Sequence, residues 1–195
     1  MNVKYFNLVL DTEFTSLQQN ADLISLALVS EDGKEFYAEF TDYDLTKAGD
    51  DSQWIVENVV GKLILSKDNE SRNLDKMYIR GNRPEVASAL KIWLNQFGTR
   101  KDDGGNIIPH IRIWADVPHY DWVFFCELFG GARKIPSQIH YMAMDLATLL
   151  LCKGVEPDTP RNQLLSPEQL PEGVQHNALF DARVGMRVLK KYLER

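Results

Sequence analysis

A strand that ends on two acids leaves a chain few ways to fold. Tyr5-Phe6-Asn7-Leu8-Val9-Leu10 is an apolar run of strand character, and it closes on Asp11-Thr12-Glu13. Side chains alternate along an extended chain, so Asp11 and Glu13 project from the same face. Two carboxylates that close repel each other. Solvent at a strand end, raised pKa values or a bound cation each relieve the repulsion. A hard divalent ion such as Mg²⁺ prefers carboxylate oxygens, so further acids elsewhere in the chain decide between these outcomes.

At 195 residues the chain is long enough for one domain with a real core. Its net charge of −6 argues against a passive nucleic-acid coat, which would be basic. An enzyme that meets phosphates through cations is not excluded, because such an enzyme needs acidic ligands. Cys126 and Cys152 both sit in apolar helical surroundings without metal-site spacing, and read as reduced core residues. The chain starts directly with a strand and has no apolar run of membrane-spanning length. The expectation is a cytoplasmic protein with no membrane contact.

Asp22–Ser30 and Lys34–Thr41 are further strands, joined by Glu31-Asp32-Gly33, a hairpin signal. Residues 42–83 read as an insertion, with a helix over Gln53–Leu63 and an irregular, polar Ser66–Arg83. Pro84–Phe97 carries Val86, Ala89, Leu90, Trp93, Leu94 and Phe97 at helical spacing, with Gly98 to end it. Thr99–Asn106 is an exposed loop and Ile107–Ala115 a buried strand. A helix through Phe129, a strand near Ile139–Met142 and a helix from Asp145 to Cys152 follow. Residues 153–175 hold four prolines and form a long loop suited to a lid or a substrate contact. A helix from Asn177 to Leu193 ends the chain. Three strands in meander and then alternating helix and strand give an α/β fold, a mixed sheet with helices on both faces.

The last helix holds the next acid. Ala178, Ala182, Gly185, Val188, Leu189 and Tyr192 share a face, while Arg183, Arg187, Lys190 and Lys191 cluster opposite. Asp181 falls inside the apolar stripe, where an unpaired charge is costly and calls for a cation, a core Arg or strong donors. Small residues around it let the helix lie close to the sheet. Asp121 repeats the pattern, with Phe124, Phe125 and Leu128 on its side of another helix. Asp116 competes with it, although its simplest use is as a helix N-cap ahead of Pro118. His176, five residues before Asp181, can face the same site only from at or before the helix start. There it could take a proton from water near neutral pH. His110, His119 and His140 have no comparable acid partner.

In this order the pieces resemble the DEDDh 3′–5′ exonucleases, the DnaQ-like, ribonuclease T-like branch of the ribonuclease H-like fold. Leu10-Asp11-Thr12-Glu13-Phe14-Thr15 matches the first motif and Trp114-Ala115-Asp116-Val117-Pro118-His119-Tyr120-Asp121 the second. His176-Asn177-Ala178-Leu179-Phe180-Asp181-Ala182 matches the third, and Met144–Leu150 looks like the helix start between them. The Asp-Val-Pro-His before Tyr120 and the 42–83 insertion depart from the pattern. The insertion and the compact size look similar to a small exoribonuclease group known from mycobacteria and phages.

The resemblance implies a five-stranded ribonuclease H-like sheet in a single domain over 1–195. It implies that Asp11, Glu13, Asp121 and Asp181 hold two Mg²⁺ or Mn²⁺ ions, with His176 as general base. Two such ions about 4 Å apart stabilise both the attacking and the leaving oxygen of an in-line displacement. The product is a nucleoside 5′-monophosphate, cut from a nucleic-acid 3′ end, RNA ahead of single-stranded DNA. Thr12, Phe14 and Tyr120 would contact substrate. Phe14, beside the acids, is the first choice as a base-stacking platform, with Trp54, Trp114 and Trp122 as further aromatics. Several members of the branch are homodimers, which the resemblance extends to this chain.

Two readings compete. Asp11-x-Glu13-x-Thr15 resembles the nucleophile motif of haloacid-dehalogenase-like phosphatases, but that class needs Asp where Glu13 stands. A catalytically inactive nucleic-acid- or protein-binding module is the alternative from another class, and the presence of all four acids and the histidine weighs against it.

Overall fold

The computed structural model describes residues 5–66 and 68–193. Its centre is the acid-terminated run, β1 (Phe6–Phe14). β2 (Leu23–Ser30) and β3 (Glu35–Phe40) follow it as an antiparallel meander. α1 (Ser52–Asn58) and a 3-10 turn at Val60–Lys62 replace the longer helix expected over Gln53–Leu63. β4 (Ser71–Arg72) and β5 (Lys76–Gly81) then join the sheet, β5 running parallel to β3. α2 (Arg83–Asn95) opens on a capping box made by Asn82 and Glu85.

β6 (Arg100–Lys101) and β7 (Ile107–Ile108) form a separate small hairpin where an exposed loop was expected. The single strand expected over Ile107–Ala115 is therefore divided at Pro109, which has no N–H to give a ladder. β8 (Ile111–Ala115) alone enters the main sheet, parallel to β1. α3 (His119–Leu128), β9 (Met144–Asp145), α4 (Leu146–Cys152) and α5 (Ala178–Leu193) complete the chain. Ile139 makes only one bridge, to Ile111, so the strand expected at Ile139–Met142 lies a few residues later.

The main sheet has seven strands in the order β4-β5-β3-β2-β1-β8-β9, rather than five. The two extra strands come from Ser66–Arg83, whose polarity conceals a half-buried alternation. Met77, Ile79 and Gly81 are buried, while Lys76 and Arg80 are exposed. The mixed α/β architecture is otherwise as expected.

The alternation of β1 sorts its side chains onto two layers. Leu8 and Leu10 pack with β2, β3, α2 and α3 residues such as Leu26, Phe36, Leu90 and Phe125. Val9 faces the other layer, with Leu146 and Leu150 of α4 and Ala182 and Val188 of α5. Asp11 and Glu13 continue the Val9 face toward α5, while Thr12 points toward α3. β8 pairs with β1 only as far as Val9↔Trp114, so Asp11–Phe14 run on beyond it. The carboxyl ends of parallel strands are where open α/β sheets place their ligands.

Two expectations about burial fail, in opposite directions. Cys126 is buried but Cys152, at the end of the short α4, is exposed. Arg183, expected on an exposed basic face, pairs through Nε and Nη2 with the two carboxylate oxygens of buried Glu35, each at 2.7 Å. Among the described residues no helix is long and apolar enough to cross a membrane.

Candidate active site

Gly185 brings the acids together. A Cβ built on it would lie 2.9 Å from Cγ1 of Val9, so only a glycine lets α5 sit this close to β1. Asp181, one helical turn earlier on the same side, is carried over the end of β1. One carboxylate oxygen each from Asp11, Glu13 and Asp181 then lie within 4.8 Å of one another. Among the described residues no Lys or Arg forms an ion pair with any of the three.

Asp121 approaches from the other layer and stands outside that trio. Its Oδ1 accepts hydrogen bonds from the backbone N–H and the hydroxyl of Thr12, at 2.9 and 2.8 Å. Thr12 is buried, so this pair ties the start of α3 to the acid strand. The contact gives Thr12 a structural task, holding Asp121, where substrate contact was expected. The substrate role of Thr12 stays an expectation.

Electrostatics express the crowding. Burial, then repulsion from Asp181, Glu13 and Asp121, hold the Asp11 carboxyl well above the usual carboxylate range. Burial, followed by the charges of Asp181 and Asp121, pushes Glu13 up to about 8. Burial raises Asp121 to about 6 against the lowering hydrogen bonds from Thr12. It raises Asp181 to about 6 against one from His176. These are acids that do not satisfy one another. A donor set made wholly of carboxylate oxygens, with no cationic side chain paired to it, fits a hard divalent cation.

His176 stands where the histidine reading required it, just before α5. Its φ is 64°, a left-handed conformation uncommon outside glycine, and its backbone N–H donates to Oδ2 of Asp181 at 2.8 Å. Asn177 holds the helix start by accepting from Phe180 N at 3.2 Å. Burial, then the Lys62 charge, lowers the His176 imidazole below its ordinary value, which favours the neutral ring that a base requires. Asp11, Glu13, His176 and Asp181 line one cleft of about 410 Å³, walled on the far side by residues 157–162 of the long loop.

Asp116 is no helix cap. The cap position of α3 is Pro118, and Asp116 instead makes a 2.6 Å ion pair with Arg161 of the loop. Arg161 also donates to the carbonyls of Pro157 and Thr159, so the pair pins the loop wall to the end of β8. Nothing local in the sequence marks Arg161, because its partner is 45 residues away. A second cleft, of about 430 Å³, adjoins the first through Thr12 and Glu13 and is lined by Phe14, Leu17, Asp51 and Trp54. Phe14 stacks on Tyr120, with ring centroids 5.4 Å apart, and the Tyr120 hydroxyl donates to the Leu17 carbonyl at 2.6 Å.

A mixed sheet with acids converging at the end of its first strand is a fold that this chain shares with solved nucleases. The chain superposes on the crystal structure of cell-death related nuclease 4 (CRN-4) with a TM-score of 0.57 at 16% identity. That match covers 98% of this chain and 64% of the other, so this chain spans just under two thirds of that nuclease. The RNase domain of the yeast Pop2 protein gives a TM-score of 0.55 at 13% identity, covering 96% and 78%. Residues 6–193 match the model of the 3′-5′ exoribonuclease Rv2179c-like domain, and the chain belongs to that family. The 3′-5′ exoribonuclease Rv2179c of Mycobacterium tuberculosis is 30% identical over 177 residues, 91% of this chain and 87% of that protein. The enzyme class that membership carries is a 3′–5′ exonuclease, a phosphodiester hydrolase.

Proposed function

We propose that this chain removes nucleotides one at a time from the 3′ end of RNA, with Asp11, Glu13, Asp121 and Asp181 holding two Mg²⁺ or Mn²⁺ ions. The observation that carries the reading is the Asp11–Glu13–Asp181 cluster, within 4.8 Å, facing the same cleft as His176. When bound, the ions would stabilise the attacking and leaving oxygens of an in-line displacement at phosphorus. The protein supplies the rest. Neutral His176 takes a proton from the attacking water. The new bond forms between that water's oxygen and phosphorus. The P–O3′ bond breaks, and O3′ leaves on the shortened strand and takes up a proton there. The released product is a nucleoside 5′-monophosphate.

Asp181 also serves through its hydrogen bond to the His176 backbone, which fixes the base relative to the acids. The second cleft is placed to take the terminal nucleotide, with Phe14 and Trp54 as its aromatic walls. RNA is preferred to DNA on the strength of the relatives, which are exoribonucleases by name. The test is digestion of 5′-labelled single-stranded RNA and DNA of one sequence, with Mg²⁺, Mn²⁺ or EDTA. A ladder shortening from the 3′ end, faster on RNA and absent in EDTA, supports the reading. Internal cuts, or digestion that persists in EDTA, refute it.

A further inference from the structure

Trp54 touches two parts of the site at once. Its ring lies edge-to-face against His176, with centroids 5.2 Å apart and planes at 75°. It also walls the second cleft beside Glu13 and Phe14. At 48% exposure it is no core residue, so burial alone does not explain a tryptophan here.

The segment that carries it is anchored beside the histidine. The Asn177 amide donates to the Lys62 carbonyl at 2.9 Å and to the Tyr37 hydroxyl at 3.2 Å. Buried Glu39 accepts from the backbone N–H groups of Ile64 and Leu65, at 2.6 and 2.9 Å, and from Tyr37 at 2.9 Å. The backbone of His176 is held from the α5 side through Asp181. Its imidazole still has torsional freedom, and Trp54 is the aromatic ring packed against it.

We propose that Trp54 is a positioning residue for His176, and that through this ring the seating of the terminal nucleotide is coupled to the placement of the base. The proposal rests on His176 being the general base. An indole that leans on the imidazole and also faces the nucleotide cleft orients the proton acceptor best when the cleft is filled.

The test is a double-mutant cycle on the full chain, with single-turnover rates and KM measured on a short single-stranded RNA. Trp54→Ala should lower the rate by roughly tenfold or more in the wild-type background, and add less than about twofold when His176→Ala is already present. Trp54→Phe, which keeps an aromatic edge, should recover most of the loss. A second readout needs no catalysis. In the metal-free protein the Cε1–H signal of His176, assigned by its loss in His176→Ala, should shift in Trp54→Ala. Equal losses in both backgrounds, or an unmoved His176 signal, overturn the proposal while leaving the base assignment in place. A His176→Ala enzyme at full speed removes the base assignment itself, and the proposal with it.

Discussion

Glu13→Gln should make the metal-free protein more stable at pH 7. In the fold Glu13 titrates near 8, against 4.5 for an ordinary glutamate, because burial and the charges of Asp181 and Asp121 oppose its ionisation. A carboxyl whose folded pKa is raised favours the fold fully below about 4.5, and this contribution is lost as the pH rises through 8. From 4.5 up to pH 7, at about 1.4 kcal/mol for each pH unit, the cost reaches about 3 kcal/mol. Its neighbours share the repulsion and can hold a proton in its place, so a net gain of roughly 1–3 kcal/mol is expected from the amide. For a domain of this size that raises Tm by roughly 3–10 °C. The assay is thermal unfolding of both proteins in EDTA from pH 4 to 8, repeated with millimolar Mn²⁺. The advantage of Glu13→Gln should fade toward pH 4, and Mn²⁺ should stabilise the wild type more than the variant. A variant less stable than wild type in EDTA at pH 7, or a difference independent of pH, refutes the reasoning.

Other outcomes follow from the same geometry. His176→Ala should slow single-turnover cleavage by roughly 10²–10⁴-fold while Mn²⁺ still raises Tm, since the lost group is a base and not a ligand. Asp121→Ala should be inactive in the 3′-shortening assay and Asp116→Ala active, with its unfolding free energy lower by roughly 1 kcal/mol for the lost, partly exposed ion pair; the reverse pattern would exchange their roles. Gly185→Ala should cost roughly 1–3 kcal/mol in urea unfolding through its clash with Val9. It should also weaken Mn²⁺ binding by calorimetry, because α5 carries Asp181.

The acids at the heart of the site were legible because each breaks a local pattern. Asp11 and Glu13 end an apolar strand on one face, and Asp181 interrupts an apolar helical stripe. Gly185 stood in that stripe too, although its contact with Val9 joins residues remote in sequence and could not be read from either. The same remoteness hid the Asp116–Arg161 pair, so a local cap was the nearest available reading for Asp116. β5 was missed for another reason. Its exposed Lys76 and Arg80 lie on the solvent side of a half-buried strand, and their charge outweighs Met77 and Ile79 in a short window. Thr12 shows the limit for a single residue. Its position beside the acids was evident, but that it faces α3 and holds Asp121 depends on where that helix starts.

The most direct measurement is a crystal structure grown with Mn²⁺ and a nucleoside 5′-monophosphate, read by the anomalous signal of manganese. Two peaks ligated by Asp11, Glu13 and Asp181, with Asp121 completing the set and the nucleotide phosphate between them and His176, are the expected result. Manganese bound elsewhere, or those carboxylates left paired only to protein groups, would contradict the assignment.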